Sequence, residues 1–209
     1  MSMKAIAREL GVSVSSVSLW TRDIELSDEQ KARLADRNHR FGAQRRGHEQ
    51  RSQNARIKRL IAQLEGRVMA RQRDPLHRAG CMLHWAEGSK TGNSVILANS
   101  DPHLLRVFKR FLEECYGITP DRFRLSVNCY VDNGLSVEEI ETFWLDALDL
   151  PRGCLRKAIV NRPSRASKQL KRNLPYGTAR LVVNSTYVLQ SIFGAIQEYA
   201  GFDDPAWLG

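Results

Sequence analysis

Between Arg122 and Val131 the chain alternates without a break: Phe123, Leu125, Val127, Cys129 and Val131 are apolar, with Arg122, Arg124, Ser126, Asn128 and Tyr130 in the positions between. A period of two belongs to a β-strand with one face covered and the other open. The open face would carry Arg, Ser, Asn and Tyr, a set that suits hydrogen bonding to phosphates and bases better than simple solvation. This segment requires a sheet covered by helices on one side only, so the fold class it predicts is α+β.

The flanking segments supply the helices. Asp74-Pro75 breaks the preceding helix, and Leu76 to Lys90 then reads as a short helix whose small residues permit close approach by another helix. Ser94 to Ala98 reads as a brief strand. Asp101-Pro102 starts a helix with Leu104, Leu105, Phe108, Phe111, Leu112 and Cys115 at helical spacing. Ser136 to Glu139 is a capping box leading into Ile140, Phe143, Trp144 and Leu148. Two further strands are expected at about 154–160 and 178–184, with a basic loop, Asn161 to Asn173, between them at or near the open face. Ser185 caps a last helix, and Gly201 to Gly209 reads as a loosely held end.

This element order, together with the Cys81-to-Gly88 stretch, resembles one copy of the LAGLIDADG homing-endonuclease fold. Ala86-Glu87-Gly88 stands where that family has Ala-Asp-Gly, and Trp85 to Lys90 is similar to a Trp-Ala-Glu-Gly-Ser-Lys form found in members outside introns and inteins, often with an attached helix-turn-helix. The resemblance covers roughly residues 76–200. It implies a saddle half with an open antiparallel sheet, and for a chain with one signature it implies a homodimer on duplex DNA. The dimer interface would then fall at Gly80, Cys81 and His84. It further implies that Glu87 is the position of a catalytic metal ligand. Mg²⁺ would be required if the protein cuts DNA, with Lys90 as a candidate basic catalytic residue and Lys157 or Lys168 as other options. Binding alone needs no cofactor. Two departures favour binding without cleavage. Only twelve residues, Ser89 to Ser100, separate the signature helix from the next helix, where the nucleases place a long base-reading hairpin, and Trp85 replaces a usual Asp.

The charge is unevenly spread. Residues 40–78 carry eleven basic side chains against Glu49, Glu65 and Asp74, whereas residues 1–39 balance and residues 79–209 nearly do. No acid occurs between Asp149 and Glu198. Such basic stretches attract phosphate in a salt-dependent way. Within them Arg45, Arg46, Arg51, Arg56, Lys58 and Arg59 are candidate DNA contacts, as are Arg162, Arg165, Lys168, Lys171 and Arg172 of the later loop. Gly42 and Gly47 make residues 40–52 read as a flexible or conditionally ordered link. After it, Ile57, Leu60, Ile61, Leu64 and Val68 form an apolar stripe on a helix. That stripe requires a partner, either the second module or a second copy of the same helix.

At the start of the chain, Met3 to Leu10 has a usable apolar stripe, Gly11 permits a turn, and Ser13 caps a second helix through Trp20. This pattern resembles the helix-turn-helix of resolvases, phage repressors and many bacterial regulators. It implies small Ala5 at the crossing, Val17 and Trp20 as anchors, and a groove-facing surface of Ser13, Ser15, Ser16, Ser18, Thr21 and Arg22. Ser27 to Gln30 fits a capping box for a segment that completes this small core.

The resulting organisation is a helix-turn-helix over 1–39, a basic connector with an amphipathic helix over 40–75, a LAGLIDADG-like domain over 76–200 and a tail over 201–209. No apolar run is long enough for a membrane span, and the charged helical N-terminus is unlike a secretory signal, so the expected setting is cytoplasmic, nucleoid-associated if the source is bacterial. The four cysteines lie far apart without zinc-ligand spacing and read as buried thiols. The expected partners are double-stranded DNA and a second copy, not a membrane; RNA binding and a scaffold role are the other open classes.

Overall fold

The computed structural model describes residues 1–130, 134–161 and 174–208, with residues 37–46 as helix backbone without their side chains. It divides into two compact units, Met1–Ser52 and Gln53–Gly209.

In the first unit, α1 (Met3–Leu10) and α2 (Val14–Trp20) are joined at Gly11. Gly11 sits in the left-handed region at φ 67°, which an L side chain adopts only with strain. Ser2 caps α1 by accepting from the Ala5 N–H, and Ser13 caps α2 by accepting from the Ser16 N–H. The helices meet through Ala7 and Val17, the buried apolar residues of this unit. The crossing therefore falls at Ala7 rather than at the expected Ala5, and Trp20, expected as an anchor, is exposed. A reciprocal pair of bonds between Ser27 and Gln30 starts α3 (Asp28–Arg71), as the capping box predicts.

The link expected over residues 40–52 lies within α3, which is helical throughout. The Arg, Gln, Ala and Glu that surround Gly42 and Gly47 are strong helix formers. Each glycine costs only about 1 kcal/mol relative to alanine, so two do not break so long a run.

In the second unit α4 (Pro75–Glu87), β1 (Val95–Asn99), α5 (Pro102–Tyr116), β2 (Phe123–Tyr130), α6 (Val137–Leu148), β3 (Ile159–Asn161), β4 (Thr178–Val183) and α7 (Thr186–Ala200) follow in order. Asp74, Asp101, Ser136 and Ser185 cap their helices, and Pro75 and Pro102 occupy first-turn positions where no N–H is needed. The sheet of the described residues runs β1-β4-β2-β3. β1–β4 and β4–β2 are antiparallel, but β2–β3 is parallel, so the sheet is mixed rather than wholly antiparallel as expected. The parallel pair arises because the chain returns to β3 through α6 instead of a hairpin.

One face of the sheet is covered. Val95 and Leu97, Phe123, Leu125, Val127 and Cys129, and Ala179, Leu181 and Val183 join one core with Phe108, Phe111, Trp144, Leu189 and Ile192. The strand alternation predicted for 122–131 holds residue by residue over Phe123–Tyr130, while Val131 lies outside the described residues. Cys81, Cys129 and Cys154 are buried and Cys115 is half-buried, all as free thiols.

The α3–α7 contact removes one of the two partners expected for the apolar stripe. The stripe of Ile57, Leu60, Ile61, Leu64 and Val68 does not pack on this module; each of its residues is about half exposed. The face that packs is the small one, with Ala62, Gly66 and Ala70 buried. A Cβ on Gly66 would lie 1.9 Å from the Ser191 carbonyl oxygen, and one on Gly194 would lie 1.9 Å from that of Gln63. Beside this backbone contact, buried Gln63 donates to Gln190 (2.7 Å) and accepts from Gln197 (3.2 Å), so the amides satisfy one another. Arg67 bridges Glu198 and Asp203, and Arg71 donates to Glu198 at 2.7 Å.

Gly194→Ala is expected to lower stability by about 2–3 kcal/mol through overpacking. Gly47→Ala, whose added methyl meets nothing within 4 Å, should raise it by about 0.5–1 kcal/mol. Urea unfolding of the two variants measures both, and a neutral Gly194→Ala would mean that the backbone contact is not tight.

Candidate nucleic-acid interface

The uncovered face of the sheet is built from alternate residues of its strands. β2 contributes Arg124, Ser126, Asn128 and Tyr130; β4 contributes Thr178, Arg180 and Val182; β1 contributes Ile96 and Ala98. Register places Arg180 between Ser126 and Ala98, two small neighbours that leave its guanidinium room. Asn128 lies opposite Thr178, and the Asn161 amide donates to the Asn128 side-chain oxygen across the β2–β3 pair.

Arg156 reaches the same surface from the segment before β3. Its N–H donates to the Leu125 carbonyl at 2.8 Å, which ties that segment to β2. Arg124, Ser126, Arg156, Arg180, Val182 and Asn184 line a depression of about 220 Å³. One terminal nitrogen of Arg124 donates to the carbonyls of Asp121 (2.5 Å) and Phe123 (2.7 Å), and one of Arg156 to that of Leu155 (2.8 Å). These bonds orient two guanidinium groups, whose other N–H groups have no hydrogen-bond acceptor among the described residues and suit an anion. No acid of the described residues forms an ion pair with Arg124, Arg156 or Arg180, so the depression is a positively charged, donor-rich surface.

Sequence reasoning singled out Arg124, Ser126, Asn128 and Tyr130, and they share this face. Arg122 is exposed in the 3₁₀ turn that precedes β2. Arg156, Arg180 and Asn184, which line the same depression, were not among the residues expected there. Arg180 carried a signal, because Thr178, Arg180 and Val182 alternate with the apolar Ala179, Leu181 and Val183. Arg156 carried none, since its place depends on the parallel pairing.

Other expected contacts lie elsewhere. Arg51, Arg56, Lys58 and Arg59 belong to α3, outside this cluster. Arg59 has a structural use: it donates to the Leu208 carbonyl (2.7 Å) and to Asn93 (3.1 Å), holding the C-terminal segment. Arg162, Arg165, Lys168, Lys171 and Arg172, and the side chains of Arg45 and Arg46, lie outside the described residues. On α2, Ser15, Ser18 and Arg22 nearby are exposed, whereas Ser13 and Ser16 share a 2.9 Å hydroxyl contact and Thr21 donates back to the Val17 carbonyl.

Gly80, Cys81 and His84, expected at a dimer interface, are used inside the protomer. The Phe111 ring occupies the space a Cβ on Gly80 would need, Cys81 is in the core, and His84 lies between Phe108 and Phe193. The reason is helical periodicity: these positions continue the buried face that begins at His77.

Glu87 is exposed at the end of α4. Gly88 then pairs with Leu97, and the Ser89 N–H donates to the Ile96 carbonyl at 3.0 Å, so this corner extends the sheet at its β1 edge. Lys90 is exposed beyond it. Mg²⁺ takes about six oxygens in near-octahedral geometry. Among the described residues no group of three acidic, His or Cys side chains gathers, and Glu87 stands as a single exposed carboxylate. No helix of the described residues is long and apolar enough to cross a membrane. In comparisons with models of protein families, curated proteins and solved structures, the chain matches none.

His84 makes α4 sensitive to acid. Both its ring nitrogens are buried without a partner among the described residues, and burial, with a smaller contribution from Lys90, pushes its pKa down from 6.5 to about 4. Below about pH 6.5 the unfolded chain takes up a proton that the fold refuses. Stability is thus lost as pH falls from about 6.5 to about 4, by roughly 3 kcal/mol at the bottom of that window. His84→Leu should flatten this part of the stability–pH curve; curves of equal slope for the variant and wild type would count against it.

Proposed function

We propose that this protein binds double-stranded DNA through the open face of its sheet, acting as a homodimer and without cutting the duplex. The observation that carries the reading is the cluster of Arg124, Arg156 and Arg180 on an uncovered strand surface lined by Ser126, Asn128 and Asn184. Guanidinium groups pair with phosphate oxygens, and short polar side chains between them suit sugar and base edges. A sheet covered on one side, following a helix with the Trp85-to-Lys90 signature, resembles half of the LAGLIDADG saddle, in which the sheet cradles the duplex.

The helix pair α1–α2 acts in this reading as a helix-turn-helix. Ser15, Ser18 and Arg22 would reach bases, while Ser13, Ser16 and Thr21 hold the second helix in shape. The sheet then supplies affinity and orientation, the helix pair sequence preference. The protein is regulatory or recombination-associated in this reading.

A LAGLIDADG-type endonuclease is the second reading, because Glu87 stands at the edge of the same sheet. Each chain would bring one carboxylate to such a site, with waters and the phosphates of the duplex as the other ligands a Mg²⁺ ion needs.

Replacing Arg124, Arg156 and Arg180 together by alanine should weaken binding on all sequences. The salt dependence of log K for the dimer should become shallower by about 5, near 0.9 for each of the six phosphates that two chains no longer neutralise. An unchanged salt slope would remove the sheet face from the interface. Arg22→Ala combined with Ser15→Ala and Ser18→Ala should instead reduce discrimination between sequences more than total affinity; an equal loss on every DNA would mean that α2 does not read bases. Incubation of supercoiled and linear DNA with Mg²⁺ or Mn²⁺ should leave both intact. Cleavage that disappears in Glu87→Gln would establish the endonuclease instead.

A further inference from the structure

The α3 stripe is the most exposed apolar surface among the described residues of the second unit. Ile57, Leu60, Ile61, Leu64 and Val68 lie on one face over three turns, each between 46% and 56% exposed. The opposite face of the same helix is the one locked against α7 by Gly66 and Gly194. The stripe is flanked by two grooves. One, of about 500 Å³, is lined by Lys58, Ile61 and Tyr187; the other, of about 450 Å³, by Leu60, Leu64 and Pro205. Such a ridge between grooves matches the surface of another helix laid along it.

We infer that the occupant is the α3 stripe of a second copy of this chain, packed antiparallel about a two-fold axis between Ile61 and Leu64. The inference deepens the dimeric part of the proposed function and moves the interface away from the signature helix, whose Gly80, Cys81 and His84 are enclosed by their own protomer.

Charge selects this occupant and this direction. Lys58 and Glu65 are seven residues apart, on one side of the stripe, with Ile61 between them. In an antiparallel pair, equivalent flanks face each other, so Lys58 meets the partner's Glu65 and Glu65 meets the partner's Lys58. The other flank carries Arg67 and Arg71, and these are already neutralised by Glu198 and Asp203. Parallel pairing would instead set Lys58 against the flank that carries Arg56. Area agrees. The five residues expose roughly 400–500 Å², at the upper end of the largest apolar patch on a monomer. Two such stripes with their groove walls would bury on the order of 1,000–1,500 Å², enough for a specific interface.

The test is sedimentation of the full chain without DNA at micromolar concentration. Wild type should be a dimer, and Leu64→Asp a folded monomer by circular dichroism, since the side chain it replaces is half exposed. Lys58→Glu should weaken the dimer by about tenfold, through two broken pairs and two new repulsions. Lys58→Glu with Glu65→Lys should restore it to within about threefold. Tyr187→Phe controls for the hydrogen bond between Tyr187 and Glu65 and should leave the dimer intact. A monomeric wild type, or a dimer indifferent to Leu64→Asp, overturns the proposal. So does Lys58→Glu tightening the dimer, which indicates parallel pairing. A monomer that binds phosphatidylserine vesicles and loses them with Leu64→Asp would make a membrane the occupant instead. A failure of DNA binding would appear separately, as a dimer that shows no salt-dependent affinity for duplex.

Discussion

Where α3 crosses α7, two helix backbones touch with no side chain between them. Gly66 and Gly194 each leave space that the other helix's carbonyl fills, and the Gln63, Gln190 and Gln197 amides close a buried hydrogen-bonded ladder alongside. α7 is buried along nearly its whole length, from Val188 to Gln197, so this contact fixes the helix around which the rest of the second unit is assembled. The arginines of α3 complete the arrangement by binding Glu198, Asp203 and the Leu208 carbonyl at the end of the chain. A contact made by glycine and alanine on one face leaves the large aliphatic residues of the same helix on the other. The exposed stripe is therefore a consequence of how closely α3 approaches α7.

The sheet shows the same division of labour. Its apolar face is consumed by α5, α6 and α7, and its other face carries side chains that a core could not accommodate. Three guanidinium groups line one depression and repel one another in the folded state; Asp121 feels the charge of Arg124, but no acid of the described residues forms an ion pair with any of the three. Their bonds to main-chain carbonyls hold two of them in place against that repulsion. This is an arrangement that gains free energy when an anion arrives, which is the physical link between the open sheet and the proposed role at phosphate.

Much of this was legible in the chain because it is local. Helix caps at Asp101, Ser136 and Ser185 are set by residues within one turn of the bonds they make, and the strand alternation at Phe123–Tyr130 needs only neighbouring residues, whereas Asp74-Pro75 reads as a break and in fact starts α4. The continuous helix through residues 40–52 was not legible, because two glycines suggest a break while the summed propensity of their neighbours decides otherwise. Trp20, read as an anchor, is exposed because Ala7 and Val17 already fill the small crossing. Half of the candidate site was visible in β2. Arg180 and Arg156 joined it only once strand order and the parallel β2–β3 pairing were set.

The sequence by itself determined the one-sided sheet, the starts of α1, α2, α3, α5, α6 and α7, and the basic character of the chain between Asp149 and Glu198, because each follows from periodicity, capping or charge among near neighbours. Tertiary structure alone decided which face of α3 is inside and that Gly80, Cys81 and His84 serve the protomer's own core. It also decided which arginines share one surface. Those outcomes depend on how closely distant backbones can approach, and a pattern of apolar residues along one helix does not specify whether size or hydrophobicity will choose the face that packs.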